Sequence, residues 1–341
     1  MPTRAGPVAL AASLLVLGAT SARRSLGDHD AAEPPPAAAG AEGQVTAPQA
    51  ARWSWSVGIA CGRSPEKPPR PHASLTSQQL CDCGEDAFFV SEPSGAVEFA
   101  GVADGVGSWR KYGVDPAVFP WALMGSCYGV SQGGPGSALG RELAAGNATA
   151  RWMLASGYER MVQGGAPVGS CTACVVSFDK TLGVLRVANL GDSGALVFRG
   201  SDNGVVLETR AQTWAYNTPY QLKKIPEVYE RFGVMDNNGD RPESADDYEL
   251  KVSDGDLLVL ATDGLFDNLD TADIKRLVLG SRAGGHTAIA RALVKGAQKI
   301  SQITFGVETP YVRAAREAGK TRFGGKPDDI TVLVGWVHGR P

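Results

Sequence analysis

From residue 52 onward the chain alternates short apolar runs with glycine-containing turns. Trp53-Ser-Trp-Ser-Val-Gly-Ile59 sets bulky residues two apart, the period of a strand with one buried face, and opens the folded part. A second strand is predicted at 84–90, with two carboxylates at its start. It forms a hairpin through Pro93-Ser-Gly95 with the apolar run that leads to Asp104. Helices are predicted at 116–130 and 139–161, separated by Gly-Gly-Pro-Gly at 133–136. Strands follow at 171–178, 184–188, 195–199 and 205–210, and the short turns between them (Lys180-Thr-Leu-Gly183, Ser201-Asp-Asn-Gly204) require antiparallel pairing. The segment 214–249, with Asn217-Thr-Pro219 and an acidic tract at 236–247, has no clear period; it reads as a solvated surface loop, with a flap over a site as the functional rival. Strands resume at 248–252 and 256–261, helices at 271–279 and 286–303, and a strand at 329–337 closes the chain. This order predicts an α+β fold, a four-layer sandwich of two antiparallel β-sheets with helices outside.

Two of these strands end alike. Val97-Glu-Phe-Ala-Gly101 runs into Val102-Ala-Asp-Gly-Val-Gly-Ser-Trp109, and the run 256–262 leads into Asp263-Gly-Leu-Phe-Asp267. An acid followed at once by glycine puts a carboxylate at a sheet rim where backbone carbonyls are also free. Further acids fall at strand ends or turns: Glu85-Asp86, Asp192 in Asn189-Leu-Gly-Asp-Ser193, and Asp328-Asp329 in Lys326-Pro-Asp-Asp-Ile330. Singly, each is an ordinary turn residue. Together, carboxylates converging at one end of a sandwich repel unless cations neutralise them, and an all-oxygen ligand set points to magnesium or manganese.

Composition narrows the picture. The 341 residues carry a net charge of −3 and no Lys/Arg cluster with interleaved aromatics, which argues against nucleic acid as a partner. The first 27 residues contain no acid, carry Arg4, Arg23 and Arg24, and include an apolar run at 8–19 that is too short to span a membrane. They read as a targeting segment; secretory and organelle destinations both fit, and 28–51 reads as a disordered linker ahead of one folded domain at 52–341. The four histidines are scattered, and the six cysteines are read as mostly reduced, since a domain of this size needs no staples. Cys171 and Cys174 lie three apart in a strand and so face opposite sides, which favours packing. Cys81 and Cys83 share a face beside the acidic pair, where a redox or metal role is the less favoured reading.

Gly84-Glu-Asp-Ala87, Val102 to Trp109, Gly169-Ser-Cys-Thr-Ala173, Ala188-Asn-Leu-Gly-Asp-Ser193, Ala261-Thr-Asp-Gly-Leu-Phe-Asp-Asn268 and Lys326-Pro-Asp-Asp-Ile-Thr-Val332 resemble, in order, the motifs of the type 2C, metal-dependent serine/threonine protein phosphatases, the PPM family. Tyr112-Gly-Val-Asp-Pro116 and Asn217-Thr-Pro219 look most like its mitochondrial, Ptc-seven-like branch, and the resemblance spans about residues 52–338. It implies a binuclear Mn2+ or Mg2+ centre at one end of the sandwich, with room for a third ion. Asp104 would bridge the metals and hold the bridging water, Gly105 would offer its carbonyl, Asp263 and Asp328 would complete the first site, and Glu85 would hold the second. Asp192 and Asp267 match the weaker third site. In Asp328-Asp329, the register with Thr331-Val332 favours the first carboxylate.

The implied reaction is attack on phosphoserine or phosphothreonine in proteins by a metal-activated water, with no covalent enzyme intermediate. Two departures stand out: Val106 sits where the family often has histidine, and the phosphate-binding arginine before the acidic pair is missing, with Cys81 near its place. Arg110 or Lys111 would then supply the positive charge at the substrate phosphate. The alternative function is a catalytically impaired member that binds phosphoproteins. Phosphorylated proteins are the expected partners, with no stable membrane span in the mature chain. A mitochondrion is the expected destination, with a plastid or the secretory route as alternatives.

Overall fold

The computed structural model describes residues 52–73, 80–93, 95–227 and 239–340; the targeting and linker segments expected at 1–27 and 28–51 lie outside them. Ten strands form two five-stranded sheets. In chain order these are β1 (Trp53–Gly62), β2 (Asp86–Val90), β3 (Val97–Asp104), β4 (Ala173–Asp179), β5 (Val184–Leu190), β6 (Gly194–Phe198), β7 (Val205–Glu208), β8 (Asp246–Lys251), β9 (Leu257–Ala261) and β10 (Ile330–Gly339). The first sheet runs β1-β10-β9-β6-β7 and the second β8-β5-β4-β3-β2, all neighbours antiparallel. Among the described residues the α-helices are α1 (Val118–Ser131), α2 (Ala138–Ala145), α3 (Ala150–Gln163), the single turn α4 (Asp263–Phe266), α5 (Thr271–Ser281), α6 (Gly285–Ser301) and α7 (Pro310–Glu317).

The period-two alternation of the strands sorts the buried side chains into three interfaces, as a four-layer sandwich requires. In β4, Ala173 and Val175 face α1 and α3, while Cys174, Val176 and Phe178 face the other sheet. In β9, Leu258 and Leu260 enter that same inter-sheet core, while Leu257, Val259 and Ala261 meet Ile274, Ile289 and Leu293 of α5 and α6. Cys171 and Cys174 accordingly lie in different cores, and both are free and buried.

The structure corrects several expectations. The helix expected at 139–161 is two helices, because Gly146 ends α2 at φ +74° and the Thr149 side chain caps α3 by accepting from Trp152 N. Cys61 and Cys83 are disulfide-bonded, tying the end of β1 to the turn before Glu85, so this pair departs from the expected reduced state. Within 214–249, the described residues form short ladders, Thr213–Ala215 with Thr218–Pro219 and Leu222–Lys224 with Gly169–Cys171. The helix α7 and a 3-10 turn at Gly107–Tyr112 were not anticipated, both being short segments in glycine-rich surroundings. Among the described residues no helix is long and apolar enough to cross a membrane.

Candidate active site

Strand register alone collects the acids at one rim. β2 starts opposite the end of β3, so Asp86 pairs with Asp104. β9 ends where β6 and β10 begin, Ala261 standing opposite Gly194 and Val332, which brings Asp263, Asp192 and Asp328 to the same edge. The two sheets are joined there by Thr262 Oγ1, which donates to Asp86 Oδ2 at 2.8 Å. Thr172 Oγ1 accepts from Asp104 N at 3.2 Å and pairs with Ser193 Oγ at 2.7 Å, fixing the β3 end against the Asp192 turn. A cavity of about 370 Å³ opens on this rim, lined by Asp104, Gly105, Val106, Asp192, Asp263 and Asp328 together with Asn217, Lys67 and Lys326. Asn217 is the tip of the Thr213–Pro219 hairpin, at φ +55°, so the segment expected to be a plain surface loop contributes a wall of the cavity.

Asp328 and Asp329 divide their work. Asp328 borders the cavity, whereas Asp329 is buried and accepts from the backbone amides of Ser64 and Glu85, each at 2.8 Å. The loops around Asp329 close so tightly that residues 84 and 264 must be glycine: a Cβ on Gly84, at φ +64°, would overlap the Asp329 carboxylate, and one on Gly264 would overlap the Asp329 carbonyl. Glu85 is fully buried behind the cavity, ion-paired to Lys67 at 3.0 Å and to Arg110 at 2.6 Å. Arg110 therefore serves Glu85 and does not border the cavity. Asp267 reaches it through Lys326, at 2.6 Å.

Lys67 and Lys326 are the cavity's cations, and no motif pointed to the first of them. Lys67 Nζ lies 2.8 Å from both Asp328 Oδ1 and Asp329 Oδ2, and Lys326 Nζ contacts Asp263, Asp267 and Asp328. Burial alone would push either ammonium down, but the surrounding carboxylates outweigh it and hold both above the ordinary lysine range. The acids show the converse. Burial, then the charges of Asp263, Asp86 and Asp328, push Asp104 well up, and burial lifts Asp267 to about 7 despite Lys326. Asp328 is held below its usual range, burial being overcome by Lys326 and Lys67. The only sequence signal for Lys67 is a charge argument: so many acids at one rim require partners.

Among the described residues no three acidic, histidine or cysteine side chains are closed into a ready metal cage, since the two ammonium groups stand between the carboxylates. The donor set nonetheless fits hard divalent cations: every ligand is oxygen, and buried oxygens of Asp86, Asp192 and Asp263 have no hydrogen-bond donor.

No family model matches the sequence. The chain is 36% identical over 260 residues to the human protein phosphatase PTC7 homolog, covering 74% of this chain and 79% of that one. It is likewise 36% identical over 296 residues to the Drosophila melanogaster protein phosphatase PTC7 homolog fig, covering 85% and 87% respectively. Among solved structures, the photosystem II phosphatase PBCP superposes with a TM-score of 0.63 at 27% identity, covering 83% of this chain and 98% of that one.

Proposed function

The chain belongs to the type 2C, metal-dependent (PPM) protein phosphatases, among the PTC7 homologues, and on that premise we propose how this site removes phosphate from phosphoserine and phosphothreonine in proteins. The observation that carries the reading is the convergence of Asp104, Asp192, Asp263 and Asp328, from four separate strand ends, on one cavity.

Asp104, the Gly105 carbonyl, Asp263, Asp328 and Glu85 would hold two Mn2+ or Mg2+ ions, with Asp192 and Asp267 for a weaker third. When bound, the ions supply a water activated for in-line attack on phosphorus, so the chain needs no nucleophile of its own. Thr172 and Ser193 orient Asp104 through their shared hydrogen bonds. Lys67 and Lys326 line the cavity, and their ammonium groups would suit phosphoryl oxygens, the task for which the sequence offered only Arg110 or Lys111. The test is hydrolysis of an aryl phosphate and a phosphothreonine peptide with manganese, and its loss on adding chelator; activity that survives exhaustive chelation would overturn the metal role.

We propose further that the protein acts inside an organelle, a mitochondrion first. What supports this is the acid-free, arginine-bearing stretch at 1–27 together with the branch of the family. The expected result is an unglycosylated protein in an organelle fraction, trimmed between residues 22 and 50. Asn147 is exposed and heads an Asn-Ala-Thr acceptor, so a glycosidase-sensitive mass shift would place the protein on the secretory route instead.

A further inference from the structure

The catalytic cavity does not end at the carboxylates. A second cavity of about 410 Å³ adjoins it, sharing Val106, Ser108 and Pro219 as a common wall. Its character is different: Asp240 is its one carboxylate, and Trp109, Tyr112, Trp214 and Ile225 line much of the rest.

This groove is built, not merely open. Trp109 is buried, and its indole Nε1 donates to Ser170 Oγ at 2.7 Å, which in turn donates to Gln221 Oε1 at 2.5 Å. Tyr112 packs edge-on against Trp109, ring centroids 6.0 Å apart. Across the groove Trp214 is 67% exposed, yet its ring is held flat on Tyr220 at 4.4 Å, 16° from parallel, and its Nε1 lies 3.4 Å from Asp240 Oδ2. The Asp240 carboxylate is itself fixed by Gln221 N at 2.8 Å. An indole so exposed and so firmly braced loses little freedom when a ligand covers it. The hairpin that carries Trp214 also carries Asn217, which lines the catalytic cavity, so one element borders both spaces.

Resting on the phosphatase reading above, we propose that this groove is a substrate subsite: it takes a large apolar or aromatic side chain lying close in sequence to the phosphorylated residue. Continuity with the catalytic cavity identifies the occupant. A phosphorylated side chain that reaches Asp104 brings its own backbone over the shared wall of Val106, Ser108 and Pro219, and the neighbouring residues of that same chain then meet the aromatic lining. Stacking on the exposed Trp214 ring rewards a flat or bulky side chain and gives nothing to a small one. The enzyme thereby selects a sequence context and not only a phosphate.

A set of phosphothreonine peptides tests this, each carrying alanine at the flanking positions except for a single Phe, Trp or Leu moved along the chain. One position is expected to raise kcat/KM by about tenfold over the all-alanine peptide, mostly through KM. Trp214→Ala should lower kcat/KM for the favoured peptide to that of the all-alanine peptide, and Trp214→Phe should restore most of the preference. A flat peptide profile in an enzyme that still hydrolyses aryl phosphate overturns the subsite and spares the phosphatase reading. A Trp214-dependent dimer in sedimentation also overturns it, since the groove would then hold a second copy of the chain. No aryl-phosphate turnover with manganese would instead sink the phosphatase reading on which the subsite rests.

Discussion

Burial and three neighbouring carboxylates all oppose the charge of Asp104. Asp104→Asn is therefore expected to abolish aryl-phosphate and phosphopeptide turnover with manganese, without lowering the melting temperature in chelator, since it removes a repelled charge and keeps the backbone bond to Thr172. Asp267→Asn should be milder: Asp267 meets the cavity only through Lys326. Small, equal losses from both would show that Asp104 is not the bridge. Val106 allows a sharper test. It lines the catalytic cavity, and its amide donates to Ser170 O at 3.1 Å, so the backbone at 106 is fixed whatever side chain it bears. Phosphoserine expels an alkoxide that needs a proton, whereas an aryl phosphate expels a stabilised phenolate that hardly does. A positioned general acid contributes about 10²- to 10⁴-fold, so Val106→His should raise kcat for the phosphopeptide and leave that for the aryl phosphate nearly unchanged. An unaltered ratio of the two rates would show that the proton comes from elsewhere.

The loops that present these acids are held by backbone, and this is where the element scale decides stability. Asp329 links the 64–85 region to the start of β10 through Ser64 N and Glu85 N, and Gly84 and Gly264 make room for it. Gly84→Ala adds a methyl into that carboxylate at a left-handed position, and forced overpacking of this kind costs about 1–3 kcal/mol. Chemical denaturation should read that loss, and a variant as stable as the parent would mean the turn can relax. Elements were legible in the sequence where one physical signal dominated. The β4 and β9 runs announced themselves through mostly apolar residues buried on both faces, broken in β4 only by Ser177 before its terminal Asp179. The break between α2 and α3 did not, because Leu139 to Met161 keeps apolar residues at helical spacing straight through it, and only the Gly146 terminator and the Thr149 cap mark the interruption. The Cys61–Cys83 bond was illegible for another reason: its partners are 22 residues apart, and only the fold brings β1 beside the turn before Glu85.

For the molecule as a whole, the four-layer order followed from element type and turn length, and the acidic rim followed from strands that end in Asp-Gly. What the sequence concealed was the neutralisation. Lys67 sits in Pro65-Glu-Lys-Pro-Pro69, a loop with no period and no motif, and reaches the cavity only because the chain returns there between β1 and β2. Lys326 heads the Lys-Pro-Asp-Asp motif, but its role depends on Asn268, whose side chain donates to Lys326 O at 2.9 Å and accepts from Lys326 N at 2.9 Å. These contacts have a thermodynamic consequence. The ammonium groups of Lys67 and Lys326 compensate carboxylates that outnumber them, and Asp104 remains poorly compensated. Divalent ions that bind the folded chain and not the unfolded one must then stabilise it, by about 2.7 kcal/mol at a free concentration one hundred times the dissociation constant. Manganese titrated into the chelated protein should raise its melting temperature, and Asp104→Asn should blunt the rise along with turnover. A melting temperature indifferent to manganese in the parent protein would mean that the two lysines already satisfy the rim and that no ion enters it.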